Sequence, residues 1–211
     1  MVDYSAMKQA VIEGDEERTI QLVREALEQN VNPVDIVTSG LQAGLIIVGD
    51  KFSAGEFFIP EMLFAARAVT KSLDVLRPHL SASDTITIGR VVIGTAAGDI
   101  HDIGKNLVSM FLESAGFEVI DLGTNVPADR FVTAVKEHNP DILGISALIT
   151  TTMPGMQITI QALESAGIRH KVKVVVGGAP VTQRFADLIG ADEYATDAGA
   201  AMELCRRLVG K

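Results

Sequence analysis

From Ile86 to the carboxy terminus the chain alternates short β-branched runs with amphipathic stretches, and few folds accommodate that rhythm. Strands are predicted near 88–94, 117–121, 141–146, 172–177 and 192–195, with helices at roughly 102–115, 127–138, 153–166, 181–189 and 197–208. Strands that alternate with helices in this way build a parallel sheet with helices on both faces.

Residues 5 to about 78 have a different pattern and read as helices only. Asp15, followed by Glu16 and Glu17, caps one helix with acid side chains at the positive end of its dipole. Ile20, Val23 and Leu27 recur along it at helical spacing, and Asn30 with Asn32-Pro33 closes it and opens the next. Val37, Leu41, Leu45 and Val48 form the stripe of a third helix, where Gly40 and Gly44 predict close approach by a neighbour. Pro60 opens a fourth helix with an expected inward face of Leu63, Ala66, Val69, Leu73 and Leu76, and Pro78 ends it. The expected architecture is a four-helix bundle over 1–84, closed by a polar linker Ser81-Ala82-Ser83-Asp84, and an α/β domain over 85–211. Of the common doubly wound orders, the flavodoxin-like (Rossmann-like) 2-1-3-4-5 fits the strand count, and its ligand crevice opens between strands one and three.

Composition narrows the function classes. Lys and Arg number 18 against 27 Asp and Glu, and the formal net charge of -9 would repel a phosphate backbone, so no nucleic-acid partner is expected. The longest apolar stretches, Leu41 to Val48 and Ile142 to Ile149, fall short of the ~18 residues needed to span a bilayer, so no membrane partner is expected either. Met1-Val2-Asp3-Tyr4-Ser5 lacks the basic start of a secretion signal, and the single Cys205 has no partner for a disulfide, which together predict a cytoplasmic protein.

The crevice position carries Asp99-Ile100-His101-Asp102-Ile103-Gly104, directly after Val91-Val92-Ile93-Gly94. An imidazole can offer one nitrogen to a metal while the other donates to an orienting carboxylate, and Asp99 is placed to be that carboxylate for His101. No second His or Cys is near in sequence, so a zinc ion held by protein alone lacks ligands, whereas a metal inside a macrocycle needs only one. Gly104, at the start of the following helix, leaves room for a ligand against the backbone; a capping glycine is the competing reading. Ser146-Ala147-Leu148 and Gly177-Gly178 follow the third and fourth strands, where local backbone satisfaction and a plain turn are the competing readings.

Taken together, Asp99, His101 and Gly104, then Ser146 and Leu148, then Gly177-Gly178, resemble the cobalamin-binding motif of corrinoid proteins. The strings Gly98 to Asn106, Val119 to Pro127 and Gly144 to Thr150 look like methionine synthase and the methyl-carrier corrinoid proteins. The resemblance implies that His101 ligates cobalt after the cofactor's own base is displaced. It also implies that Asp99, His101, Asp102, Gly104, Ser146, Leu148, Thr150, Gly177 and Gly178 bind the corrinoid and its buried nucleotide tail. Methionine synthase completes a proton-sharing chain with a second serine; Thr152 stands at that position and keeps the hydroxyl while its methyl restricts the rotamer. Gly49-Asp50-Lys51-Phe52 and Gly55-Glu56-Phe57-Phe58-Ile59-Pro60 resemble the helical cap of methyl carriers, with Phe58 and Met62 as candidates to shield the ring; ordinary bundle core is the competing reading for both.

The implied cofactor is cobalamin, as methylcobalamin and cob(I)alamin, or a related corrinoid. The chain has no room for a catalytic barrel of ~250 residues, so it is expected to carry methyl groups rather than turn over alone. The implied partners are a substrate-specific corrinoid methyltransferase and a second methyltransferase to coenzyme M or tetrahydrofolate, with room for a reductive activase. Two other classes share parts of the pattern: a cobalamin-dependent light or ligand sensor of transcription, and the small subunit of an adenosylcobalamin mutase. His79, His138 and His170 read as solvated loop or helix-end residues, Cys205 as core, and Tyr194 to Asp197 as a border of the tail site.

Overall fold

The computed structural model describes residues 2–80 and 87–210, so the expected linker at 81–84 and the boundary after 84 lie outside the described residues. The chain divides into two compact units: Met1–Ile86 with Glu113–Gly116, and Thr87–Leu112 with Phe117–Lys211.

The first unit is helical. Helix α1 (Tyr4–Ile12) starts at Asp3, whose carboxylate accepts the N–H groups of Ser5 and Ala6 at 3.0 Å. Helix α2 (Glu16–Glu28) is capped by Asp15, which accepts the Arg18 N–H at 2.9 Å, as its sequence predicts. Asn32 caps α3 (Pro33–Asp35), which runs through a π-helical stretch (Ile36–Gln42) into α4 (Ala43–Ser53). The stripe Val37, Leu41, Leu45 and Val48 is buried throughout. The two glycines have their expected cause, because a Cβ on Gly40 would land on the Met7 sulfur and one on Gly44 would come within 2.8 Å of the Val11 Cβ. Helix α5 (Ile59–Leu76) is followed by a 3-10 turn, Arg77–His79, that contains Pro78. Its buried face differs from the expected one: Met62, Ala65, Ala66, Ala68, Val69, Ser72 and Leu76 are inside, while Leu63 is 43% exposed and Leu73 half-buried. Three alanines and a serine line the packed side, so helices can approach closely there, and a reading that follows bulky apolar residues is rotated off that face.

The second unit holds a parallel sheet of β1 (Gly89–Thr95), β2 (Phe117–Asp121), β3 (Ile142–Ser146), β4 (Lys173–Gly177) and β5 (Glu193–Ala195) in the order β2-β1-β3-β4-β5, as expected. The helices are α6 (Ile103–Ser114), α7 (Ala128–His138), α8 (Pro154–Ser165), α9 (Gln183–Ile189) and α10 (Ala198–Leu208). One face of the sheet, with Val92, Leu143, Ile145, Val174 and Val176, forms a continuous core with Phe131 and Ala134 of α7, Met156, Ile160 and Leu163 of α8, and Ala186 and Ile189 of α9. The step from β1 to β2 runs opposite to the later steps, so right-handed crossover places α6 on the other face. Register aligns Thr95, Ser146 and Gly177 side by side on that second face at the carboxyl ends of β1, β3 and β4. Gly144 and Ser146 are only half-buried there although they lie in the central strand.

Candidate functional site

The loop after β1 folds around one carboxylate. Asp99 is 1% exposed, between an exposed Gly98 and an exposed Ile100. Its Oδ1 accepts the His101 backbone N–H at 3.0 Å and sits 2.7 Å from His101 Nδ1. Its Oδ2 accepts the Leu148 N–H at 2.7 Å, the Thr152 hydroxyl at 2.7 Å and, more distantly, the Ile149 N–H at 3.4 Å. Burial alone would raise the carboxyl's proton affinity. The donors from His101, Leu148 and Thr152 outweigh it and hold Asp99 well below the usual carboxylate range. An ionised carboxylate can only accept, so in the neutral imidazole Nδ1 carries the ring proton and Nε2 keeps its lone pair. The His101 side chain is 47% exposed with Nδ1 occupied, which makes Nε2 the available nitrogen. The Thr95 hydroxyl donates to the His101 carbonyl at 3.1 Å and fixes the loop from below.

The other expected residues surround this point. Leu148 is 44% exposed and Thr150 exposed, both on the loop after β3 that also supplies donors to Asp99. Ile100 and Ile103 are 75% and 77% exposed and Ile149 is 41% exposed, so the histidine stands among apolar side chains left in water. Asp102 opens α6, its carbonyl accepting the Asn106 N–H at 2.7 Å. A Cβ on Gly104 would meet nothing within 4 Å, so packing inside the chain gives no reason for a glycine there. Gly178 is different: its φ is +124° and a Cβ would collide with the Ala147 carbonyl oxygen, so the backbone of the loop after β3 requires this glycine. In the helical unit Phe58 is 67% exposed and Met62 fully buried.

Two features were not among the expected site residues. Asn125, in the loop after β2, accepts the Gly98 N–H on its side-chain oxygen at 2.7 Å and donates its own N–H to the Asp99 carbonyl at 2.8 Å. Lys105 is buried, and its ammonium contacts Asp121 at the end of β2 and the Asn106 side chain. An asparagine just before Val126-Pro127 is a loop signal, but its partners are distant in sequence. The remaining histidines lie elsewhere: His79 in the turn after α5, His138 at the end of α7 and His170 in a 3-10 turn. Cys205 is buried on α10 and loss of hydration pushes its thiol up to about 12, so it is an inert core group. Among the described residues no three His, Cys, Asp or Glu side chains come together as a metal site. A metal that brings its own equatorial ligands fits Nε2 of His101.

Residues 89–203 match the B12 binding domain family, and residues 4–77 match a second family described as a B12 binding domain. The chain belongs to the corrinoid proteins. It is 47% identical over 196 residues to trimethylamine corrinoid protein 2 of Methanosarcina acetivorans, covering 90% of each chain. A cobalamin-binding protein from Desulfitobacterium hafniense superposes with a TM-score of 0.87 at 35% identity over 100% of both chains. The methanol:cobalamin methyltransferase complex MtaBC from Methanosarcina barkeri gives a TM-score of 0.83 at 30% identity, over 99% of this chain and 80% of that one. As a corrinoid protein of the methyl-carrier type it binds cobalamin or a related corrinoid. The structure fits such a group on three counts: an accessible imidazole nitrogen, apolar side chains exposed around it, and a glycine facing open space beside it. Among the described residues no helix is long and apolar enough to cross a membrane.

Proposed function

We propose that this corrinoid protein binds its cofactor with the lower base displaced and His101 in its place. In this role it shuttles a methyl group from a substrate-specific corrinoid methyltransferase to a second methyltransferase that serves coenzyme M or tetrahydrofolate. The observation that carries the reading is His101 itself, half-exposed, with Nδ1 held by Asp99 and Nε2 free of any partner among the described residues. When bound, the corrinoid supplies a cobalt centre that takes up and gives up a methyl group. Every other part of the work falls to side chains already in place.

His101 would hold the cobalt through Nε2, and Asp99, by keeping Nδ1 engaged, leaves that nitrogen free for the metal. Thr152 has one hydroxyl proton and two acceptors in reach, Asp99 Oδ2 at 2.7 Å and the Ile149 carbonyl at 2.8 Å. A proton that moves from His101 Nδ1 to Asp99 Oδ1 leaves the carboxyl neutral, and the Thr152 hydroxyl can then turn from Oδ2 to the Ile149 carbonyl, turning back when the proton returns to Nδ1. Changes in proton demand at the imidazole are thus absorbed without exposing Asp99 to water. Asp102 and Thr150 edge the site. In this reading Gly104, Ser146, Gly177 and Gly178 would receive the nucleotide tail, and Leu148 would add apolar contact beside it. Of the two shield candidates, exposed Phe58 has a side chain free to cover an apolar face, whereas Met62 is fully buried.

The trimethylamine name of a relative 47% identical to the chain supports a methylated amine as methyl donor. The complex formed by the methanol:cobalamin methyltransferase supports direct docking of a methyltransferase partner. Cytoplasmic residence is supported by a lone, buried and unpaired cysteine. The test is anaerobic incubation with hydroxocobalamin, removal of free cofactor, and assay with purified methylamine:corrinoid methyltransferases. Co-elution of near-stoichiometric corrin absorbance and methylation from a methylated amine are expected. Colourless protein, or a loaded protein that no such enzyme methylates, would refute the reading.

A further inference from the structure

The loop that carries His101 is held from two sides, and only one of them belongs to the machinery described above. On the β3 side, Leu148 and Thr152 grip the Asp99 carboxylate. On the β2 side, the backbone pairing of β1 and β2 continues past the strand ends: Thr95 donates to the Gly123 carbonyl and Val126 to the Thr95 carbonyl, both at 2.9 Å, with a bridge between Ala96 and Val126. Beyond that bridge the chain after β1 turns away at Gly98, whose φ is +82°, and Asn125 replaces the missing rungs. Its side-chain oxygen takes the Gly98 N–H and its own N–H reaches the Asp99 carbonyl, so one residue holds the Ala97–Gly98 peptide before Asp99 and the Asp99–Ile100 peptide after it. Asn125 adopts a left-handed φ of +53° to do this, a conformation that asparagine tolerates better than most residues.

We infer that Asn125 is a positioning residue for the cobalt ligand: it fixes the backbone of Asp99 so that one carboxylate meets His101 on one oxygen and Thr152 with Leu148 on the other. Its hydrogen bonds among the described residues go to Gly98 and to the Asp99 backbone, not to the imidazole. Its effect passes through Asp99, whose side chain leaves the backbone at the bracketed residue. Without the bracket, the Gly98–Asp99 segment keeps only the Asp99 N–H to Ala96 carbonyl turn at 3.1 Å and the side-chain bonds themselves. The carboxylate then swings with its backbone, and the Nδ1 proton loses its fixed acceptor. The inference rests on the reading of His101 as ligand, but it concerns the order of the apo-protein and is tested there.

Asn125 is exposed, so its replacement leaves the core intact. Asn125→Gly keeps the positive φ and the backbone N–H while deleting the side-chain acceptor, and Asn125→Asp retains that acceptor. The readouts on apo-protein are amide hydrogen exchange and the nitrogen-15 shifts of the His101 ring, which report its tautomer. In Asn125→Gly the Gly98 and His101 amides are expected to exchange about tenfold faster, the scale of one hydrogen bond. The ring shifts should move towards those of a free imidazole, the urea midpoint should fall by no more than that one bond accounts for, and Asn125→Asp should restore all of these. Unchanged ring shifts in Asn125→Gly, failure of Asn125→Asp to rescue, or acceleration spread evenly over the sheet would overturn the inference. A wild-type protein that binds cobalamin without His101 sinks the ligand reading instead, and the apo measurements distinguish the two failures.

Discussion

Replacing Asp99 by asparagine separates a structural carboxylate from a hydrogen bond that any polar residue could make. The two carboxylate oxygens each accept one backbone N–H that has nowhere else to go, His101 on Oδ1 and Leu148 on Oδ2. An amide has one oxygen, so in either orientation its NH2 group opposes one of those N–H groups. The softer partners adapt, because the Thr152 hydroxyl can turn and accept and the imidazole can move its proton to Nε2. The backbone donors cannot. At 1% exposure water does not replace the lost acceptor, so one buried unsatisfied donor costs about 1–3 kcal/mol. For a chain of this size that is a fall in Tm of about 2–12 °C. The assay is urea and thermal unfolding of the apo-protein. Asp129→Asn serves as control, since among the described residues exposed Asp129 bonds only the neighbouring Arg130 N–H, and the same charge change should stay within about 0.5 kcal/mol. An Asp99→Asn protein as stable as that control would refute the argument that the loop is built on this carboxylate.

Gly104→Ala should leave apo stability unchanged or raise it by up to about 1 kcal/mol, because the new Cβ meets nothing and alanine favours helix. The same variant should bind hydroxocobalamin more weakly in equilibrium titration; undiminished affinity would return Gly104 to the role of a plain capping residue. Thr152→Val removes one donor from a buried carboxylate and should cost about 1.5–3 kcal/mol in urea unfolding, while Thr152→Ser stays close to wild type. Equal stability of the two would show that the hydroxyl is idle. Asp99 and Asp192 both titrate below their ordinary 3.8 in the folded state, burial opposed in each by stronger donors: for Asp192 the Val174 N–H and Arg169. The unfolded chain therefore takes up protons first, and their stabilisation is complete above about pH 5 and is lost as pH falls through 3.8 and below. The urea midpoint should drop on that acid limb, less steeply in Asp192→Asn, and an unchanged slope would contradict the assignment.

Much of this was legible in the residues, for identifiable reasons. Buried parallel strands are uniformly apolar and bounded by loops, so β1 to β5 lie within a residue of their expected ranges. The bond between Asp99 and His101 is local and follows from their spacing, whereas the grip of Leu148 and Thr152 on Asp99 spans strands and is visible in sequence only through family resemblance. The packed side of helix α5 differs from the face its bulky residues predict, because small residues, not large ones, mark it. The π-helical stretch at Ile36–Gln42 left no pattern of its own. Gly104 and Gly178 look alike in sequence, yet one faces open space and the other a carbonyl oxygen. Asn125 carries no sequence signal for its role, since both of its bonds depend on the pairing of β1 with β2.

The central claim concerns a single nitrogen, Nε2 of His101, and an isotope can report on it. Protein grown with nitrogen-15 histidine and loaded with unlabelled cob(II)alamin should show each cobalt hyperfine line split into a doublet by electron paramagnetic resonance, and His101→Ala should lose that splitting. Lines that remain triplets in the labelled protein would mean that the cofactor's own base still holds the metal, and His101 would have to be given another task.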